Sequence, residues 1–488
     1  MQIRPPIYNK KCENIDNLSD LDPLIAKILS ARGVIKKEDY IYKLGNLAPI
    51  SSLEFVSEAV DLLIEHKCNK ILIVGDYDVD GATSTALLMR CLKDFGFNNI
   101  SYIVPNRFDF GYGLTPKIVD VAKGLNPDLI ITVDNGISSL DGVKEARASK
   151  IDVLVTDHHL PGDELPDANV IVNPNLESSS FVSKNLAGVG VAFYLMAGLG
   201  RELEVQGNAG FASIPSRYLD IVALGTIADV VKLDFNNRIL VDQGIKRIRK
   251  KRCISGISAL INQSGKDPLK LTSSDLGFSL GPKINAAGRL EDMSVGIKCL
   301  LTDDDTFALK YAEILDKKNK KRQDIEKKMQ SDAHAFIEKF NKNNLPLCIC
   351  IKNTDWHQGL VGLVASRLKD HCNRPVIAFA QEEEGLMKGS ARSIPGIHIK
   401  DLFESIATEK PHLIQKFGGH SMAAGLTIKD QHFDEFNDTT SLHIKKLYPS
   451  VDLTGAIYVD GEIPSEKLSI DFANMIDQFG PWGSGFDE

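Results

Sequence analysis

No stretch of eighteen consecutive apolar residues occurs in this 488-residue chain, so the sequence offers no candidate membrane-spanning helix. Its first residues, "MQIRPPIYNKK", lack the hydrophobic region that a secretory signal needs. Cysteine is sparse and scattered. The eight thiols, Cys12, Cys68, Cys91, Cys253, Cys299, Cys348, Cys350 and Cys372, include no C-x-x-C pair of the kind that builds zinc sites, and they are too few for a disulfide scaffold. Buried thiols and a cytoplasmic location are the expectation. Cys348 and Cys350 alternate in the strand-like "LCICI" and should share one sheet face.

Positive charge is not in excess either. Lys and Arg number 57 against 65 Asp and Glu, a net charge of −8, which argues against coating duplex nucleic acid by bulk electrostatics. Two basic runs, "KRIRKKR" from Lys246 and "KKNKKRQDIEKK" from Lys317, leave room for a local basic groove, although such runs are more often solvated helix faces. With 43% apolar and 25% charged residues, the composition is that of an ordinary globular chain of about two to four domains.

Strand-like runs "KILIV", "ISYIV", "LIITV", "IDVLVT", "NVIVN" and "YLDIVALGTIADVV" alternate with helical segments. That alternation predicts a doubly wound parallel sheet, an α/β fold. We assign an N-terminal helical extension to residues 1–49, this sheet domain to 50–265, a connecting segment to 266–343, a smaller α/β domain to 344–450, and the start of a further region, too short to be a domain, to 451–488. Within the connecting segment "GPKINAAGRLED" reads as a loop with embedded glycines. After it, Phe307, Tyr311, Ile314, Leu315, Ile325, Met329, Phe336 and Phe340 fall mostly three or four apart, the stripe of a long helix. Its middle, Lys317 to Asp324, is almost wholly polar, as expected if the helix bridges two bodies through solvent.

The stretch "VGDYDVDGATS" places Asp76, Asp78 and Asp80 on alternate positions before Gly81, which matches the opening of a calcium-binding EF-hand loop. The match fails twice. The twelfth position is Leu87 rather than Glu, and the preceding "KILIV" is a buried strand rather than a helix. In an open parallel sheet the functional crevice lies beyond the carboxyl ends of the strands. There the sequence sets Asp76, Asp78 and Asp80; Asp134 after "LIITV"; Asp157, His158 and His159 after "VLVT"; and Asp229 at the end of "IVALGTIAD". A single Asp at such a turn is as often a helix cap. Several carboxylates with imidazole and no thiolate suit Mn²⁺ or Mg²⁺. Two cations about 3.5–4 Å apart would turn mutually repelling carboxylates into shared ligands.

In this order, "GDYDVDG", "VDNG", "TDHH" and "GTIAD" resemble the motifs of the DHH phosphoesterase superfamily, and "GSARS" with "FGGHSMAAG" resembles the associated DHHA1 domain. The segments "NRFDFGYGL", "PKINAAGRLEDM" and "WHQGLVGLVASRL" narrow the resemblance to its 5′→3′ exonucleases specific for single-stranded DNA, over residues 50 to 488. The resemblance implies a nuclease of DNA repair and recombination that releases nucleoside 5′-monophosphates, with single-strand binding protein and a RecQ-type helicase as partners. It also implies a cleft between two bodies that admits one strand but no duplex.

By position in those motifs, Asp78, Asp80, Asp134, His158 and Asp229 are implied metal ligands. Asp76 is implied where many members instead carry a His at the place of Val74. His159 would contact the scissile phosphate or protonate a leaving oxygen, and Asp157 would orient an imidazole. Arg107, Arg289, Ser390, Arg392 and His420 would hold phosphate, with Gly418 and Gly419 allowing close backbone approach. Trp356 and His357 would stack on a base or pack the following helix. Such exonucleases continue past "FGPWGSGFDE" into an OB-fold, so weaker binding and poor processivity are expected without it. Two other readings are a phosphodiesterase of the same superfamily acting on short oligonucleotides or cyclic dinucleotides, and a non-catalytic single-strand DNA-binding scaffold.

Overall fold

The computed structural model describes residues 6–12, 15–104, 110–290, 292–338 and 345–488. Two compact units result. The larger is built from residues 11–319 together with 462–488, the smaller from 320–461 together with the N-terminal residues up to Lys10. Among the described residues no helix is long and apolar enough to cross a membrane.

The larger unit is organised around a five-stranded parallel sheet made of β1 (Ile71–Gly75), β2 (Ile100–Ile103), β3 (Leu129–Val133), β4 (Asp152–Thr156) and β5 (Val170–Val172), in the order β2-β1-β3-β4-β5. Strands β1 and β3 are buried at every position, which explains why their sequences are continuous apolar runs rather than alternating ones. The chain moves outward from β1 to β2 and then crosses back to β3. The switch point therefore falls between β1 and β3, where the strand ends diverge and leave a crevice. Helix Val79–Asp94 leaves that crevice and is buried along most of its length between the sheet and the helices Gly188–Val205 and Leu219–Ala228.

Two segments differ from the sequence reading. "YLDIVALGTIADVV" is not a strand; it forms helix Leu219–Ala228, with Asp229 at its C-cap. Eight of its residues are buried, so it is enclosed nearly all round, and such a helix cannot be told from a buried strand by periodicity. "GPKINAAGRLED" is not a loop, because Gly281–Leu290 is helical and follows a π-helical turn at Leu276–Leu280. Its small residues suit close packing. A Cβ on Gly288 would lie 1.9 Å from the carbonyl oxygen of Tyr77, so the helix rests directly on the acidic turn.

The long helix runs Asp305–Ile337, and Phe340 of the expected stripe lies outside the described residues. In its polar middle, residues 317–324, Asn319 is buried but Lys317, Lys320, Lys321, Gln323 and Asp324 are exposed, and buried charge lies on either side. Asp316 and Asn319 are buried in the larger unit, where Lys283 pairs with Asp316 and Gln263 donates to the same carboxylate at 3.3 Å. Glu326 is buried in the smaller unit and pairs with Arg322 at 2.6 Å. Buried charges are tolerated only when paired, and these pairs flank the exposed middle on both sides. Residues 266–319, expected as a connector, pack as part of the larger unit. The C-terminal strip packs there too: Trp482 stacks on Phe486 with centroids 5.1 Å apart, the Arg238 guanidinium lies 4.2 Å from the Phe486 ring centre, and Leu233 donates its N–H to Ser484.

The smaller unit holds a second five-stranded sheet of β6 (Ile349–Lys352), β7 (Val376–Glu383), β8 (Leu386–Arg392), β9 (Lys416–Gly419) and β10 (Ala423–Lys429), ordered β9-β10-β8-β7-β6. Only the β6–β7 pair is parallel. Cys348 and Cys350 both lie in this unit's core, and all eight cysteines are free thiols, but the expected burial fails for Cys12 and Cys68, which are exposed in surface segments, and is partial for Cys253.

Gly288→Ala forces backbone apart at the acidic turn. We expect a loss of about 1–3 kcal/mol in stability, read from denaturant melts, together with weaker Mn²⁺ binding.

Candidate active site

Each acidic side chain is placed by backbone that the sequence makes short of alternatives. Asp76 is buried immediately after β1. Asp78 is the N-cap of helix Val79–Asp94 and accepts from Gly81 N–H at 3.1 Å, a normal capping arrangement. Asp80 is fully inside, with Oδ2 accepting from Gly188 N–H at 2.6 Å and Oδ1 from Val189 N–H at 2.9 Å. These are the first amides of helix Gly188–Val205, whose positive N-terminus favours an anion. Gly188 is required there, since a Cβ would lie 2.8 Å from that of Asp134.

Asp134 ends β3 in the left-handed region, with φ of 61°, a conformation that Asp tolerates better than most residues. Next to it, Asn135 is buried and donates to the carbonyls of Val74 and Val133, tying the two central strand ends together.

Asp157 is saturated. Its Oδ1 accepts from the N–H groups of His158 and His159 and from His159 Nδ1, at 2.7, 3.1 and 2.7 Å, while Oδ2 accepts from Ile137 N–H at 2.9 Å. Both of its oxygens are thus engaged by donors of the chain itself. Asn175 and Asn173 donate to the carbonyls of His158 and His159, fixing the histidine backbone from the other side.

These elements converge on one point. Nε2 of His158 lies 3.1 Å from Asp134 Oδ1, 3.5 Å from Asp229 Oδ2 and 3.8 Å from Asp80 Oδ2. Ligating atoms of Asp76, Asp78 and Asp134 lie within 4.8 Å of one another, and so do those of Asp80, His158 and Asp229. Burial and the neighbouring carboxylates push Asp80 and Asp134 well above the ordinary carboxylate range, and burial together with Asp78 raises Asp229 to about 7. Burial and the adjacent His159 lower His158 to about 4, so its ring is neutral. His159 behaves oppositely: burial, the largest single influence, would lower it, but the hydrogen bond to Asp157 and the charges of Asp157, Asp229 and Asp76 together outweigh that and raise it to about 9.

A neutral imidazole facing three carboxylates is a poor arrangement for protein atoms alone. Asp134 Oδ1, Asp229 Oδ2 and His158 Nε2 are buried and make no hydrogen bond among the described residues, a costly state for polar atoms. Oxygen and imidazole donors with no thiolate fit Mn²⁺ or Mg²⁺, and a cation would remove both the repulsion and the orphaned atoms.

The other expected residues fall in two places. In the larger unit, Arg289 is half-buried near the end of helix Gly281–Leu290, and Arg107 lies outside the described residues. In the smaller unit, Arg392 donates to Ser390 Oγ at 3.0 Å, and Gly362, in the first turn of helix Val361–Cys372, sits against both side chains. Gly418, Gly419 and His420 form the end of β9 and its turn into β10. A Cβ on Gly418 would meet nothing within 4 Å, so packing does not demand glycine at that point. Trp356 packs rather than stacks: it is buried, and its indole N–H donates to Asp332 at 3.2 Å.

Two residues escaped the sequence reading although both lie in segments singled out there. The Tyr112 hydroxyl donates to the Asp134 carbonyl at 3.2 Å and lies 3.4 Å from the His159 ring. Asn285 Oδ1 accepts from Val79 N–H, one of the free amides at the start of helix Val79–Asp94. Neither carries a charge that would have marked it.

Residues 70–226 match the DHH family, N-terminal domain, and residues 344–446 match the DHHA1 domain, which sets the class of this two-unit protein. The chain is 46% identical over 478 residues to the single-stranded-DNA-specific exonuclease RecJ of Salmonella typhimurium, covering 96% of this chain and 83% of that one. The structure of RecJ in complex with Mn²⁺ from Thermus thermophilus superposes with a TM-score of 0.82 at 27% identity, over 100% of this chain and 69% of that one. The Mg²⁺ complex from the same organism gives 0.75 at 25% identity, over 100% and 67%. The chain belongs to the RecJ family.

Raised carboxylate pKa values carry a sign. A carboxyl that keeps its proton to higher pH when folded stabilises the fold below its unfolded value of about 3.9, and for Asp229 that contribution is lost as pH rises through about 7. In EDTA the melting temperature should therefore fall from pH 5 to pH 7. Saturating Mn²⁺ should flatten that fall, because the ion replaces the protons; calorimetry at both conditions checks it.

Proposed function

We propose that this chain is a metal-dependent exonuclease that hydrolyses single-stranded DNA from its 5′ end, releasing nucleoside 5′-monophosphates, and that it serves DNA repair and recombination. The observation that carries the reading is the cluster of buried carboxylates around the neutral His158 ring. RecJ relatives with Mn²⁺ and Mg²⁺ bound support it, as does near full-length identity to exonucleases of that name.

Asp76, Asp78, Asp80, Asp134, His158 and Asp229 would hold the cations, and the two separate ligand groups favour two of them. Bound cations would supply Lewis acidity and offset phosphate charge. The remaining tasks fall to the chain's own groups. Asp157 grips Nδ1 of His159, which fixes the tautomer and turns the other ring nitrogen outward as a donor. A histidine held protonated to about pH 9 can pass a proton to the departing 3′ oxygen. Tyr112 limits the swing of that ring. Arg392 with Ser390, together with Arg107, Arg289, His420 and the backbone at Gly418 and Gly419, would bind phosphate oxygens through planar or backbone donors. The free thiols fit a cytoplasmic enzyme, with single-strand binding protein and a RecQ-type helicase supplying the strand.

Asp134→Asn and His158→Ala should abolish Mn²⁺-supported release of mononucleotides from single strands while oligonucleotide binding persists. Equal cleavage of blunt duplex by the parent protein, or faster cleavage of RNA dinucleotides, would overturn the proposal.

His159→Ala should slow turnover by about 10²–10⁴-fold with little change in KM. Arg392→Ala should instead raise KM for 5′-phosphorylated substrate by about tenfold.

A further inference from the structure

Away from the acidic centre, His412, His432 and Glu435 converge on the surface of the smaller unit, each with one ligating atom within 4.8 Å of the others. They come from three neighbouring pieces of chain. His412 lies between helix Ile399–Glu409 and β9, His432 ends the short turn Asp430–His432, and Glu435 is in the first turn of helix Phe433–Leu447.

Their orientation is built rather than free. Lys410 Nζ donates to Glu435 Oε1 at 2.9 Å and to Thr439 Oγ1 at 3.2 Å, which leaves Oε2 facing His412 Nε2 at 3.2 Å. The two imidazole rings are 5.3 Å apart at 71°, and Gln431 Nε2 lies 3.3 Å from His432 Nε2. Metal–ligand bonds of about 2.0–2.1 Å set tetrahedral ligands about 3.3 Å apart, close to the 3.2 Å between His412 and Glu435. An ion pair between His412 and Glu435 needs no second imidazole turned to the same place. Here there is one.

We propose that His412, His432 and Glu435 form a second, surface metal site for a late first-row divalent cation, Zn²⁺ foremost. Two imidazoles and one carboxylate are a borderline donor set that prefers Zn²⁺, Ni²⁺ or Cu²⁺ to the Mn²⁺ or Mg²⁺ of an oxygen-rich centre. A fourth position is left for water. The site would fasten the turn that enters β9, four residues ahead of the strand's first residue, Lys416, to the start of the following helix. It rests on no assumption about the acidic centre.

The test is Zn²⁺ stoichiometry of the full chain after equilibrium dialysis, measured by elemental analysis. His412→Ala/His432→Ala keeps the acidic centre, so the difference between it and the parent counts the surface site alone. We expect the parent to hold one more Zn²⁺ per chain than the double variant, whose Mn²⁺-supported turnover is unchanged. The single exposed substitutions His412→Gln and Glu435→Gln should each show the same deficit, so the result does not depend on the double variant folding. Equal Zn²⁺ content in the parent and the single variants overturns the proposal.

Discussion

Charge repulsion among buried carboxylates is the constraint that the larger unit is built to withstand. Asp76, Asp80 and Asp134 are each at most 4% exposed, and like charges at such range in a low-dielectric interior oppose one another strongly. The fold answers mainly with fixed dipoles, and with one counter-charge, that of His159. Asp80 sits on the first amides of an eighteen-residue helix, Asp78 caps another, and Asp157 takes four N–H donors. Asp134 and Asp229 keep an oxygen facing the centre. The residual repulsion is left for cations to cancel, which makes the centre receptive to them.

Two histidines adjacent in sequence are thereby driven to opposite states. His158 is enclosed and neutral, whereas His159 is held charged by the carboxylate beneath it. One is suited to ligate and the other to donate a proton, and the division arises from which neighbour each ring meets. Tyr112 and Asn285 extend the same logic outward, since both brace the backbone of the acidic turns instead of contributing charge.

Much of this was legible in the sequence, because strands buried on both faces announce themselves as apolar runs and the acids sit directly after them. What sequence could not resolve was the difference between a helix buried all round and a strand, as at Leu219–Ala228, or between a glycine-rich loop and a glycine-rich helix pressed onto another backbone, as at Gly281–Leu290. Both depend on tertiary contact, not on local pattern. Trp356 illustrates the same limit: an aromatic beside a histidine suggests stacking on a base until its burial against Asp332 is seen. The polar middle of Asp305–Ile337 is largely exposed while its flanks at Asp316 and Glu326 hold buried pairs, a difference invisible in sequence because buried ion pairs and exposed charges are spelled with the same letters.

The larger unit is discontinuous, with residues 462–488 returning to it after the whole of 320–461 has been laid down. During synthesis the smaller unit's segment therefore emerges from the ribosome before the strip carrying Trp482 and Phe486 exists, and Arg238, already beside Tyr42 and Phe235, must wait for the Phe486 ring. Units that close in sequence order fold as they appear. This one is completed out of order, so the nascent chain holds a half-finished apolar seam open while a second body takes shape downstream.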